Sequence, residues 1–211
     1  SSSYDIALMS RELLEKHPDI TKYTTIYMDS LRDGKSELVN TNKLVRNYRG
    51  ATGLKTGSTS LALYNLSASA TRDGLSLIAV IMKAPTTKDR FAEATKLLDY
   101  GFANYSYKTF AQKGDTIKEI PISKGVSSSV SAVLSTDAGV LLKKGEESNI
   151  VQNVNLPEEI TAPISEGDKL GEISYSLNGE TIAEIDIVAK NSVAKIDLPH
   201  MLQYVFNSWI C

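Results

Sequence analysis

The stretch Leu61–Met82, "LALYNLSASATRDGLSLIAVIM", decides how the first half of this chain folds. Two runs of apolar and small residues flank Arg72-Asp73-Gly74, and Asp-Gly supports two consecutive residues at positive φ, the signature of a tight hairpin. In the second run Leu75, Leu77, Ala79 and Ile81 alternate with Ile78, Val80 and Met82, so both faces are apolar. That pattern predicts a strand in the middle of a covered sheet. Downstream, "KDRFAEATKLLDYGF" spaces Phe91, Ala94, Leu98 and Phe102 as one stripe of an amphipathic helix able to cover that sheet. Upstream, "YTTIYMDSL" (Tyr23–Leu31) reads as a short strand turned by "RDGK". The opening "SSSYDIALMSRELLEKHP" reads as a helix, with Ser2 and Asp5 as a capping box and Ile6, Met9 and Leu13 at helical spacing. Because this helix has no lead-in, the chain reads as a piece of something longer. The first part is therefore α plus β.

Composition narrows the function classes. With 211 residues, 42% hydrophobic and 23% charged, the chain is globular rather than disordered. A net charge of -2 without any lysine or arginine run argues against nucleic acid as a partner. His17, His200 and Cys211 are the only soft ligands, so neither a metal nor any other cofactor is expected, and a lone cysteine allows no internal disulfide. Both histidines read as surface residues. No stretch approaches the roughly 20 apolar residues of a membrane span.

Charge and texture change near "YSYKTFAQKGD" (Tyr105–Asp115). Residues 1–110 carry 15 Lys and Arg against 11 Asp and Glu, whereas 111–211 carry 8 against 14. Such a shift predicts a boundary at 108–112. Beyond it, "DTIKEIPIS", "SSSVSAVLS", "GVLLKKG", "EEITAPIS", "DKLGEISYSL" and "ETIAEIDIVA" are short alternating segments punctuated by turn residues, which predicts a small all-β sandwich or barrel over 111–194. "SLNGET" is its clearest hairpin. The tail 195–211 changes again: Met201, Leu202, Val205, Phe206, Trp209 and Ile210 form one apolar stripe of a helix that Pro199 opens. Such a helix fits a membrane interface or a docking face on its own domain or a partner chain.

The chemistry concentrates in "GLKTGSTS" (Gly53–Ser60). A phosphate-binding loop needs G-x-x-x-x-G-K-[ST], and "YRGATGLKTG" does not supply that spacing. Lysine, threonine and glycine in sequence also suit recognition of a carboxylate beside a serine nucleophile. The ammonium brings charge, the hydroxyl a hydrogen bond, and the glycine lets a substrate backbone approach.

Over residues 40–102, "NTNKLVRNYRGATGLKTGSTSLALYNLSASATRDGLSLIAVIMKAPTTKDRFAEATKLLDYGF" and its preceding helix resemble the penicillin-binding D-alanyl-D-alanine carboxypeptidases, and with the β-rich second part and tail the resemblance covers essentially the whole chain. It implies a partial transpeptidase/β-lactamase-like α+β domain over 1–110, then the β-rich domain and the amphipathic helix of the low-molecular-weight, membrane-associated branch. It implies Lys55 as the catalytic lysine of the K-T-G motif, with Thr56, Gly57, Ser58, Thr59 and Arg90 contacting substrate. It also implies a peptidoglycan stem peptide ending in D-Ala-D-Ala as substrate, β-lactams as inhibitors, and a place on the outer face of the cytoplasmic membrane, held there through 198–211. The chain departs from the family pattern at Thr52, where Asp is usual, and at Ser58, where Tyr or His is usual.

The larger departure is an absence. Neither S-x-x-K nor S-x-N precedes Gly53, so the nucleophile, its lysine and the asparagine are expected from a missing N-terminal half of the same domain. Ser192-x-x-Lys195 and Ser176-x-Asn178 fit the letters only. The first follows an alternating strand and the second enters the Asn-Gly turn. The chain alone is expected to be inactive, and the alternative reading is a non-catalytic binding or spacer module of a cell-envelope protein. Whether the intact protein is a carboxypeptidase or an endopeptidase is not written in these residues.

Overall fold

A computed structural model describes residues 1–201, and the chain divides into two compact units, Ser1–Tyr107 and Lys108 onward. In the first unit, α1 (Ser3–Lys16) starts on the expected capping box, with Ser2 Oγ accepting from Asp5 N and the Asp5 carboxylate accepting from Ser2 N. A single 3-10 turn (Pro18–Ile20) leads into α2 (Thr21–Thr24). The strand expected over Tyr23–Leu31 is shorter than that: Tyr23 and Thr24 are helical, and β1 is Met28–Leu31. It pairs with β2 (Ser36–Val39) through a turn in which Arg32, Asp33 and Gly34 all have positive φ. A short helix α3 (Leu44–Asn47) precedes the antiparallel sheet of β3 (Ala51–Thr59), β4 (Leu63–Arg72) and β5 (Leu75–Ala84).

The hairpin that decides this fold forms as its residues dictate. Asp73 and Gly74 sit at φ 49 and 80, and Arg72 pairs with Leu75 across the turn. One expectation is corrected. β5 is not a middle strand but an edge of the described sheet, whose centre is β4. Its two apolar faces have a different cause: α4 (Thr87–Asn104) packs on β4 and β5 through Ala94 and Leu98, and α1 also packs against β5.

The opening helix is corrected as well. Its inner stripe is Ile6, Ala7, Ser10 and Leu14, whereas Met9 and Leu13 face solvent with Leu8. A helix that is apolar on two stripes satisfies one and exposes the other.

In the second unit the expected strands appear as β7 (Thr116–Ser123), β8 (Ser129–Leu134), β9 (Ala138–Lys143), β11 (Ile160–Thr161), β12 (Lys169–Leu177) and β13 (Glu180–Ala189). Two more were not anticipated. The stretch read as a domain boundary holds β6 (Tyr105–Ala111), and β10 (Ile150–Asn155) forms a sheet edge with nearly every residue exposed. An edge strand without a buried face has no alternation to reveal it. The six-stranded sheet runs β10-β12-β13-β8-β7-β11, and β6 pairs with β9. Ile120, Leu134, Ile173, Tyr175 and Ile187 from the large sheet share one core with Val140 and Leu142 of β9. Phe110 stacks on Tyr175 with ring centroids 4.8 Å apart. The chain turns helical over 198–201, and the rest of the expected tail helix, from Leu202, lies outside the described residues. Among the described residues no helix is long and apolar enough to cross a membrane.

Candidate functional site

β3 is the other edge of the three-stranded sheet, and its pairing with β4 fixes which side each residue faces. Leu54 and Thr56 are buried, so Lys55, Gly57 and Thr59 point to the opposite face. Lys55, Gly57, Ser58 and Thr59 are all exposed. The Lys55 ammonium donates to its neighbour's carbonyl, Thr56 O, at 2.6 Å, and no carboxylate pairs with it among the described residues. An edge strand with an unneutralised ammonium, free backbone and hydroxyls is chemically suited to an extended anionic ligand.

Hydroxyl groups hold this edge in place. Lys55 stands opposite Ser67, and the buried Ser67 Oγ meets Ser10 Oγ of α1 at 2.7 Å. Thr52 Oγ1 meets Ser69 Oγ at 2.7 Å, while Thr24 Oγ1 at the end of α2 donates to Thr52 O at 2.5 Å. Thr52, at the position where the family pattern has Asp, is thus tied to β4 on one side and to α2 on the other. Gly53 lies at φ +140, and a Cβ there would come within 2.7 Å of Thr24 Cβ. Glycine is required because α2 approaches the strand too closely for a side chain.

Arg90 is brought to the same end of the sheet but not to the exposed edge. It is buried on α4, 5% exposed, and its Nη1 donates to Asn65 O at 3.2 Å. Asn65 is the residue paired with Gly57. The guanidinium also lies over the rings of Phe91 and Tyr64, at 4.7 and 5.7 Å. Burial holds its pKa below the ordinary value, with the Tyr64 hydroxyl acting in the opposite sense. As placed, Arg90 braces the strand behind Gly57.

Sequence reasoning missed the group that supports Thr56. Asn40, Thr41 and Asn42 form a turn closed by its own side chains, and Thr41 Oγ1 reaches Thr56 Oγ1 at 2.6 Å. The signal was present, because Asn and Thr in succession favour side chain to backbone turns.

The two S-x-x-K and S-x-N look-alikes lie in the second unit and have structural partners. Ser192 Oγ accepts from Glu166 N at 2.8 Å, and Asn178, at φ 52, makes the β12–β13 turn. His17 ends α1, and the exposed His200 lies 2.5 Å from Asp197. No cluster of metal-ligating side chains occurs among the described residues.

Residues 1–86 match the D-alanyl-D-alanine carboxypeptidase family, and residues 105–195 match the family of the penicillin-binding protein 5 C-terminal domain. The D-alanyl-D-alanine carboxypeptidase DacF of Bacillus subtilis is 38% identical over 99% of this chain and 54% of its own length. DacA of Haemophilus influenzae is 31% identical over 92% of this chain and 50% of its own length. Among solved structures, penicillin-binding protein 5 from Haemophilus influenzae superposes with a TM-score of 0.73 at 31% identity, over 92% of this chain and 57% of that one. Penicillin-binding protein 6B from Escherichia coli gives 0.59 at 27% identity, over 89% and 50%. The chain spans about half the length of the curated relatives it matches.

Proposed function

Since both units place this chain in the family of penicillin-binding-protein-5-like D-alanyl-D-alanine carboxypeptidases, we propose that it is the carboxylate-recognising portion of a serine-type D,D-carboxypeptidase. The observation that carries this reading is the β3 edge, where Lys55 meets no carboxylate among the described residues and Gly57, Ser58 and Thr59 lie open beside it. Lys55 binds the terminal carboxylate of a stem peptide ending in D-Ala-D-Ala, with Thr59 as a hydroxyl partner on the same face of β3 and Gly57 giving the peptide backbone access. A charge-assisted hydrogen bond of this kind contributes about 1.5–3 kcal/mol. Arg90 acts from behind, by fixing Asn65 and with it the position of Gly57.

The nucleophilic serine, its activating lysine and the S-x-N asparagine come from sequence outside these 211 residues. That serine attacks the penultimate D-Ala carbonyl, the amide bond breaks, and D-alanine leaves with the proton on its amine. Water then hydrolyses the serine ester. A β-lactam enters the same edge and stops at the acylated serine. The polypeptide segment that carries the serine seats on the apolar surface that the first unit leaves open. On α1 that surface comprises Leu8, Met9 and Leu13, and on the β1–β2 hairpin Met28, Leu31, Leu38 and Val39. Without it the residues of the edge have no reaction to accelerate, because groups of one catalytic unit do not act as independent increments.

The second unit has a closed core, and its edge strand β10 holds Val151 and Val154 in solvent. This favours a spacer or binding role for residues 108 onward, and the family resemblance with the apolar stripe of the tail sequence supports 198–211 lying at the outer surface of the cytoplasmic membrane. The test is a pair of assays, D-alanine release from a D-Ala-D-Ala peptide and covalent mass gain with a penicillin. Both are expected for the intact polypeptide and neither for residues 1–211 alone. An acyl adduct on the 211-residue chain, or none on the intact one, overturns the reading.

A further inference from the structure

One asparagine gathers the contacts that hold the open end of β3. Asn65 pairs with Gly57 across the β3–β4 hairpin, and its carbonyl accepts from Arg90 Nη1. Every polar group of its side chain is engaged. Nδ2 donates to Ala62 O and Leu63 O at 3.1 and 3.3 Å, which closes the turn that follows Thr59, and Oδ1 accepts from Lys83 N at 2.9 Å. That last bond stands where β5 leaves the ladder. Tyr64 pairs with Ala84 and Leu66 with Ile81, so Met82 and Lys83 bulge opposite Asn65 alone.

The arrangement is held against opposing local preferences. Leu63 and Lys83 sit at φ 52 and 57, a left-handed backbone that neither residue favours. Arg90 adds a guanidinium that is 5% exposed and whose Nε has no partner among the described residues. Backbone strain persists only where neighbouring contacts over-determine it, and it gathers at ligand sites. Here it adjoins the exposed Gly57, Ser58 and Thr59. The opposite end of the strand is occupied, because Thr24 of α2 bonds Thr52 O and lies against Gly53. A ligand whose carboxylate sits at Lys55 therefore finds open strand in one direction, past Gly57 towards Thr59.

We propose that Asn65 is a positioning residue for the part of the substrate that precedes its D-Ala-D-Ala terminus. Its side chain fixes the turn after Thr59 and the bulge of β5, and so keeps Gly57–Thr59 in line as an edge on which the upstream backbone of a longer peptide adds as a further strand. This rests on the carboxypeptidase reading and deepens it: Lys55 reads the terminal charge, and the edge that Asn65 holds reads peptide length.

The experiment uses the intact polypeptide that contains this chain and measures D-alanine release from a pentapeptide ending in D-Ala-D-Ala and from N-acetyl-D-Ala-D-Ala. The wild type has the higher kcat/KM on the pentapeptide. Asn65→Leu keeps the side-chain size and removes its donors and acceptor. It lowers kcat/KM on the pentapeptide about tenfold, the worth of about one main-chain hydrogen bond, mainly through KM, and changes that on the acetylated dipeptide by less than about twofold. Asn65→Asp keeps the oxygen that receives Lys83 N but loses both protons given to the turn. It also lowers the ratio, and it serves where the leucine variant does not fold. Equal losses on the two peptides, an unchanged ratio, or a wild type that does not prefer the longer peptide overturns the role of Asn65 and leaves the carboxypeptidase reading standing. A wild type that releases D-alanine from neither takes both down.

Discussion

The two units bury their apolar side chains to different degrees, although each begins from ordinary alternating and amphipathic patterns. From Lys108 onward, among the described residues, one core of sixteen buried residues runs through both sheets. In Ser1–Tyr107 the corresponding cluster has seven, centred on β4, and is completed by α4. Other apolar side chains of this unit lie open: Met9 is 58% exposed, Met28 54% and Val39 53%. Monomeric surfaces tolerate single apolar residues, but a helix with a second apolar stripe and a hairpin exposed on both strands call for a further layer. The second unit closes a core of its own, and the first leaves part of its apolar surface in solvent.

The largest effect expected from this contrast is in proteolysis. Residues 108–201 produced separately resist a protease as they do in the whole chain. Residues 1–107 are cut readily and bind a hydrophobic dye. Equal resistance of the two pieces breaks the comparison and with it the proposed seat on α1.

A smaller effect sharpens the contrast at the site. Gly53→Ala drives a Cβ into Thr24 and strains a backbone at φ +140. The expected loss is about 1–3 kcal/mol, read in the thermal unfolding of the first unit, with amide exchange accelerating at Thr52–Lys55 and not in β12 or β13.

The smallest effect belongs to the closed core. The Tyr175 hydroxyl is buried without a partner, and burial raises its pKa. Tyr175→Phe removes an unpaired polar group, keeps the stacking on Phe110, and shifts stability by less than about 1 kcal/mol, in the stabilising direction. A clear destabilisation in a melting experiment shows that the hydroxyl has a partner.

Much of this was legible residue by residue. Ser2 and Asp5 announced α1, Asp73-Gly74 and Asn178-Gly179 announced their hairpins, and Phe91, Ala94 and Leu98 announced α4, because each signal depends on atoms within a few positions of one another. Lys55 through Thr59 could be named from the K-T-G spacing together with the family resemblance. Other features could not be read. Nothing local distinguishes the buried stripe of α1 from its exposed one, since both carry leucine and methionine-sized groups at helical spacing. Arg90 looks in sequence like an available cation, yet the packing of α4 turns it inward to a backbone carbonyl.

What the sequence determined by itself is the long helices, the two tight hairpins and most strands of the second unit, together with the residue types gathered in one short strand, because propensity, turn geometry and motif spacing are local quantities. What the tertiary structure decided is which residues of that strand stand free. β3 lies at an edge, Thr41 is carried fifteen positions to meet Thr56, and Ser10 of α1 is carried across the sheet to meet Ser67 opposite Lys55. These are matters of long-range packing, and no window of sequence contains both partners of such a contact.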